Sequence, residues 1–342
     1  MSAAAVTPEE AAAAFAVLAD EAALLAAVSG GPDSVALLAL LAEWAQGSGR
    51  PPLHAATVDH GLRPESAGEA AAVAALCARL GVGHAILRWE GTKPVSGVQA
   101  RARGARYALL ADEARRLGGA TLVTAHTLDD QAETLLMRLS HGSGPSGLAG
   151  MRRRGEVGGV ALARPLIGFS KARLVATAQA WRLPFVADPS NSDRRFERVR
   201  WREAMPVLAE QGLTAERLGR LAGRLARLDE AAARRAREIL AEVAEGAADG
   251  RLRLRFSALA KEPEEIVLRV LALALDAAVP GGGSHGRLER LEDCGEALLA
   301  AARAGLSLRR TLSGCLLSLG RDGVLVLAGE GRRRRGVHSS PP

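Results

Sequence analysis

Residues 29 to 34 read Ser29-Gly30-Gly31-Pro32-Asp33-Ser34, and those residue types suit a phosphate. The glycines let backbone N–H groups approach an oxyanion, and a helix starting there adds the positive end of its dipole. Ser29 and Ser34 supply hydroxyl donors. Asp33 supplies a carboxylate able to hold Mg²⁺ on a phosphate. A plain turn into a helix also accounts for Pro32 and a serine cap. It needs one glycine and one cap, however, and not six such residues without a spacer. No Gly-Lys-Ser/Thr follows and no lysine precedes Lys93, so this is not a Walker A loop.

The second constellation is His126-Thr127-Leu128-Asp129-Asp130-Gln131-Ala132-Glu133-Thr134. Asp130 and Glu133 are three apart and share one face of a helix. Carboxylates are favoured at a helix start in any case. That is sufficient for Asp129 but does not explain Glu133 with His126 upstream. A carboxylate pair beside an anion loop can bind Mg²⁺ or a substrate ammonium. The HEXXH spacing of zinc proteases is absent.

Three weaker signals accompany these. In Val58-Asp59-His60-Gly61-Leu62-Arg63, Asp59 and His60 suit ribose, base or metal contacts, or a loop with an aspartate cap. Arg103 and Arg106, just before Tyr107, share a helix face, and one of them can reach a phosphate. After Asp188-Pro189-Ser190-Asn191 come Arg194, Arg195, Arg198, Arg200 and Arg202, interleaved with Phe196 and Trp201 and offset only by Glu197. Basic residues among aromatics suit an RNA backbone and an exposed base. A solvated helix face is the alternative.

The elements that must position these groups alternate. Strand-like runs fall at Leu24–Val28, Leu53–Val58, His84–Trp89 and Thr121–Ala125. Helical patterns separate them at Val35–Ala45, Ser66–Leu80 (with Ser66 to Glu69 as its cap), Val98–Leu117 and Asp129–Leu139. That order predicts an α/β fold with a doubly wound parallel sheet. Ligands of such sheets sit beyond the carboxyl ends of the strands, so Ser29, Asp59, His60 and His126 are expected to line one crevice.

The 342 residues have room for two domains, and 48% hydrophobic content supports real cores. The formal charge is +7, and of 45 basic residues only Lys93, Lys171 and Lys261 are lysine. Three scattered cysteines, with no CxxC, suggest neither a zinc ribbon nor a cluster and fit a reducing cytoplasm. Thr7-Pro8-Glu9-Glu10 reads as a capped helix start and not a secretion signal, and no segment has the apolar length of a membrane span. The expected domains are 1–205, a helical connector 206–250 that includes one or two helices over Thr214–Glu245, and a small α+β domain 251–330. Within the last, a strand at Arg251–Phe256 and a helix at Glu264–Ala278 precede a break at Gly281–Ser284. Two or three strands follow over Ser307–Leu327, and a disordered, arginine-rich tail covers 331–342.

Taken in order, these motifs resemble the tRNA(Ile)-lysidine synthetase family, within the PP-loop (N-type ATP pyrophosphatase) superfamily. The resemblance runs from about Leu24 to Arg202 and includes Gly-Ser-Gly-x-x-Gly-Leu-x-Gly-Met at 142–151, Arg164-Pro165-Leu166 and Asp-Pro-Ser-Asn at 188–191. Two positions depart from the family pattern. His141 stands where arginine is usual, and Val199 where asparagine is common. The resemblance implies ATP bound by Ser29, Gly30, Gly31, Pro32, Asp33, Ser34, Asp59, His60, Arg106 and His126, with Mg²⁺ on Asp33. It implies lysine held by Asp130 and Glu133, which with Asp33 are the catalytic residues. Arg198, Arg200 and Arg202 would contact the tRNA, together with the small C-terminal domain. The implied partners are ATP, free L-lysine and the isoleucine tRNA with a CAU anticodon, in the cytoplasm and away from membranes. A PP-loop tRNA thiolase is the alternative, and it would need reactive or cluster-binding cysteines.

Overall fold

The computed structural model describes residues 3–61, 65–91, 98–186, 193–248, 251–279 and 288–330. The Asp188–Asn191 motif, Leu62 and Arg63, the Gly281–Ser284 break and the 331–342 tail lie outside the described residues. The chain forms two compact units, one of residues 1–142 with 147–224, the other of 143–146 with 225–342.

The first unit runs α1 (Pro8–Phe15), β1 (Leu24–Ala27), α2 (Pro32–Ala45), β2 (Leu53–Asp59), α3 (Ser66–Arg79), β3 (Gly83–Arg88), α4 (Val98–Arg116), β4 (Thr121–Val123) and α5 (Leu128–Ser140). A short α6 (Pro145–Leu148), whose first two residues belong to the second unit, follows, then β5 (Arg154–Val157), β6 (Val160–Ala163), α7 (Lys171–Ala180), α8 (Glu197–Glu210) and the start of the long α9 (Ala215–Val243). The sheet order is β3-β2-β1-β4-β6-β5, parallel except at the β5 edge. Alternation along each strand feeds two cores. Leu24, Ala26, Ala55, Val123 and Ala163 face the cluster with α1, α2 and α7. Leu25, Ala56, Leu122 and Leu162 face Tyr107, Leu110 and Ala114 of α4. Because helices cover both faces, the strands read as continuous apolar runs. Helix α2 is buried from Ser34 through Ala42, which is why its sequence has no polar stripe. The strand order reverses between β1 and β4, and the loops after these two strands carry Ser29 and His126.

The first unit continues past Met205 to Arg224. Trp201, Met205 and Leu208 of α8, with Leu218 of α9, pack on Ala132, Leu135 and Leu136 of α5, so the connector region begins as part of this unit's core. One expectation needs correcting. Ser66 is not the cap of α3: the N-cap is Glu65, with no side-chain bond, and the Ser66 hydroxyl donates to Asp59 Oδ1 at 2.7 Å. The β5–β6 hairpin lies outside the elements expected from sequence and turns at Gly158-Gly159. Both residues have positive φ (58° and 76°), as a two-residue hairpin turn of this hand requires.

The second unit holds the rest of α9 and a five-stranded antiparallel sheet, ordered β7-β8-β11-β10-β9. Its strands are β7 (Ala244–Ala248), β8 (Arg251–Arg255), β9 (Leu308–Leu312), β10 (Cys315–Leu319) and β11 (Val324–Gly329). A short α10 (Phe256–Leu259), α11 (Glu264–Ala278) and α12 (Leu288–Arg303) complete it. Leu254, Leu317, Leu325 and Leu327 bury one sheet face with Val267, Leu271 and Leu298 of α11 and α12. The expected turns at Ser313-Gly314 and Arg321 to Gly323 join the last three strands. Among the described residues no helix is long and apolar enough to cross a membrane.

Candidate active site

The anion loop is held from within. Ser34 is buried, and its hydroxyl donates to Gly31 O at 2.9 Å and accepts from Ser29 N at 3.2 Å. It also lies 3.2 Å from the Ser29 hydroxyl. Ser34 thus shapes the loop, and Ser29 is the more available donor. Gly30 has φ +85°, and an added Cβ would press on Val73 at 3.4 Å, so a side chain there strains the turn. Its carbonyl accepts from Val186 N at 2.9 Å, which ties the loop to the segment after α7. Gly31 is the N-cap of α2 and brings no side chain to the cap.

Asp33 sits in the first turn of α2. Burial pushes its carboxyl up to about 6, against the pull of Lys171, whose Nζ lies 3.5 Å from Oδ2. The other oxygen, Oδ1, is buried with no hydrogen-bond partner. A buried carboxylate oxygen in that condition is costly, and a cation completes it. The donor set therefore fits Mg²⁺, which commonly takes one or two carboxylates together with substrate phosphates. Among the described residues no three His, Cys, Asp or Glu side chains converge on one point.

Helix α5 opens with a capping box. Thr127 accepts from Asp130 N at 3.2 Å, and Asp130 Oδ2 accepts from Thr127 N at 2.9 Å and from its hydroxyl at 2.8 Å. Burial raises the Asp130 carboxyl, but the Thr127 bonds and the neighbouring His126 and Arg198 outweigh it and hold the group below its usual range. Asp130 Oδ1 is outside the cap, with Arg198 Nη1 4.0 Å away. Glu133 shares that helix face, as the spacing predicts, and is 1% exposed. Arg202 grips it from α8 with Nε 2.8 Å from Oε1 and Nη2 3.3 Å from Oε2. Arg198 Nε lies 3.1 Å from Oε2 but off the hydrogen-bond line. Its Nη2 donates to Thr134 at 2.9 Å. Burial raises the Glu133 carboxyl despite Arg202, and the same bond raises Arg202.

The arginine cluster thus divides. Arg198 and Arg202 point at the carboxylates. Arg194, Arg195 and Arg200 are exposed, and Arg200 Nη1 donates to the carbonyls of Arg194 and Arg195 at 3.1 and 3.2 Å. Val199, between them, is buried. His141 Nε2 lies 3.1 Å from Glu197 Oε1, so this departure from the family pattern pairs with α8.

His126 follows β4, its Nδ1 2.8 Å from the Thr124 hydroxyl. Burial, aided by Arg164, Arg103 and Arg106, lowers it to about 4 despite Asp130, so the ring is neutral at pH 7. Arg106 is half-buried, with Arg103 and Arg106 each 5.1 Å from the Tyr107 ring centre. Asp59 caps its own loop, accepting from Gly61 N at 2.9 Å and from Ser66, while His60 meets Trp89 edge-on at 6.0 Å. Sequence reasoning missed Lys171 and Arg164 as members of this site. The scarcity of lysine was the available signal for the first.

The glycine-rich loop after α5 is braced by Gln131, whose amide accepts from Met151 N at 2.7 Å and donates to Met151 O at 3.1 Å. Arg138 donates to the carbonyls of Gly147 and Gly150 at 2.6 and 3.0 Å. Gly150 has φ +69°, and an added Cβ falls 2.7 Å from the Gln131 amide. Gly150→Ala is therefore expected to lower stability by about 1–3 kcal/mol, read as a shifted denaturant midpoint with unchanged slope.

Comparison with known proteins adds four findings. A family model described as a PP-loop domain matches residues 6–208. The chain is 53% identical over 317 residues to a tRNA(Ile)-lysidine synthase of Methylobacterium nodulans, covering 91% of each. It is 48% identical over 324 residues to the tRNA(Ile)-lysidine synthase of Rhodopseudomonas palustris, covering 92% of each. Among solved structures, a U34-tRNA thiolase, NcsA, from Methanococcus maripaludis matches with a TM-score of 0.55 at 18% identity, over 64% of this chain and 78% of that one. This last likeness concerns the fold alone.

Proposed function

The chain belongs to the tRNA(Ile)-lysidine synthase family of PP-loop proteins, and we propose from this premise that it ligates free lysine to the wobble cytidine of the CAU-anticodon isoleucine tRNA, consuming ATP. The cytidine carbonyl oxygen attacks the α-phosphate of ATP, and pyrophosphate leaves. The ε-amine of lysine then attacks the activated ring carbon, and AMP leaves with the oxygen. Cytidine's carbonyl carbon is a poor electrophile, and adenylation turns its oxygen into a good leaving group. The reaction belongs in the cytoplasm, where ATP, lysine and tRNA meet.

The observation that carries this reading is the meeting, at the sheet's switch point, of an anion loop bearing a half-satisfied carboxylate with a second carboxylate site on α5. Ser29, Gly30, Gly31 and the first turn of α2 cradle the phosphates, with Arg106 and neutral His126 facing them. Mg²⁺ on Asp33 would supply charge neutralisation to the departing pyrophosphate. Asp59 and His60 line the nucleotide side. Asp130 Oδ1 is the acceptor for the lysine ammonium, and Glu133 holds Arg198 and Arg202 in place beside it. The thiolase alternative is disfavoured by the three cysteines. All are buried and outside any disulfide, and burial raises each thiol, Cys77 to about 11. The test is product analysis: the purified protein with ATP, lysine and the tRNA should leave a wobble nucleoside heavier by lysine less water, and sulfur incorporation would refute the reading.

Arg200 is the member of the α8 cluster facing tRNA. Arg200→Ala is expected to reduce the log–log salt slope of tRNA binding by roughly one unit or less. Arg202→Ala is expected to act on the lysine step instead, through Glu133. Filter binding across a salt series separates the two, and an unchanged slope in Arg200→Ala would remove that residue from the RNA surface.

A further inference from the structure

Lys171 opens α7, and its place is set by another helix. Ser170, the N-cap of α7, makes no side-chain cap bond. Asp129 of α5 does that work instead, its Oδ2 accepting from Lys171 N at 2.7 Å, while Leu128 N donates back to Phe169 O at 2.9 Å. The start of α5 and the start of α7 are thereby fixed to one another, and the Lys171 ammonium is delivered to Asp33 in the anion loop.

The contact does not resemble a structural ion pair. At 3.5 Å it is longer than a charge-assisted hydrogen bond, whereas Arg202 meets Glu133 at 2.8 Å in the same site. It also leaves Asp33 Oδ1 unpartnered. Composition points the same way. All but three of the chain's 45 basic residues are arginine, and a fixed pair with a carboxylate is the task at which arginine's planar fork is superior. A compact ammonium on a flexible stem suits a group that changes partners.

We propose that Lys171, placed by Asp129, is a phosphate-contacting residue of this site: its ammonium rests on Asp33 while no nucleotide is bound, and turns to the triphosphate oxygens when ATP with its magnesium takes Asp33. The inference rests on the ATP reading given above. It assigns Asp129 a positioning role, distinct from the ammonium-binding role of Asp130.

The experiment is calorimetric binding of α,β-methylene ATP with Mg²⁺, a probe that resists cleavage between the α- and β-phosphates and needs neither tRNA nor lysine. Lys171→Met and Lys171→Gln are expected to bind it roughly 10- to 100-fold more weakly, the range for losing a hydrogen bond to a charged group, with melting temperatures near wild type. Lys171→Arg is expected to recover little. Asp129→Ala is expected to weaken binding and Asp129→Asn to restore it, because the asparagine oxygen still accepts from Lys171 N. Wild-type affinity in Lys171→Met and Lys171→Gln would overturn the phosphate contact. Equal affinity in Asp129→Ala and wild type would overturn the positioning link. A wild-type protein that binds no analogue would contradict the ATP reading itself and take this proposal with it.

Discussion

Asp33→Ala is expected to cut tRNA-dependent pyrophosphate release by roughly a hundred- to a thousandfold, the range for removing one preorganised charge-stabilising group. The carboxylate stands in the first turn of α2, with one oxygen near Lys171 and the other buried and unsatisfied. That arrangement is unfavourable for the ligand-free fold. Its carboxyl is raised to about 6, so the ionised form at pH 7 is held against a desolvation cost that the unfolded chain does not carry. The melting temperature of Asp33→Ala at pH 7 is therefore expected to hold or rise while activity falls. Ser34→Ala acts differently. Its hydroxyl shapes the loop through Gly31 O and Ser29 N, so its loss is expected to be smaller and to appear partly as weaker ATP binding. Wild-type pyrophosphate release in Asp33→Ala would remove the loop from the chemistry.

Asp130→Asn is the second variant with a large expected effect. Asparagine keeps an oxygen for the Thr127 cap bonds, so α5 retains its start. It removes the charge facing the proposed ammonium. Losing one side of a partly desolvated ionic contact costs roughly 2–5 kcal/mol, enough to raise the lysine KM more than tenfold. Adenylation is expected to continue, so adenylated tRNA accumulates at low lysine. Glu133→Gln is expected to disturb the same step through its arginines, since both its oxygens are already met by Arg202 and Arg198. If Asp130→Asn loses adenylation and keeps its lysine KM, the α5 carboxylate serves the nucleotide's metal.

Much of this was legible in the sequence because it is local. The strand-loop-helix around Ser29 to Ser34 and the spacing of Asp130 and Glu133 depend on chain neighbours alone. The last three strands and their turns were marked by alternation and by Gly314 and Gly323. What was not legible is tertiary. The four-residue spacing of Arg198 and Arg202 puts them on one face of α8 and Arg200 on another, but nothing local tells that the first face turns to α5. Asp129 looked like an ordinary first-turn acid, yet it caps a helix that begins 42 positions later. The role of Lys171 follows only from that long-range bond. Helix α12 has Leu291, Leu298 and Leu299 at helical spacing, a pattern not named among the elements expected from sequence.

The central claim is that one site adenylates tRNA first and uses lysine second. Single-turnover reaction with ATP labelled at the α-phosphate and the CAU-anticodon isoleucine tRNA, with lysine omitted, tests it directly. The account predicts tRNA-dependent release of pyrophosphate and label retained on the tRNA, discharged as AMP when lysine is added as the wobble cytidine becomes lysidine. Pyrophosphate release that ignores the tRNA, or a label that lysine fails to discharge, would contradict it.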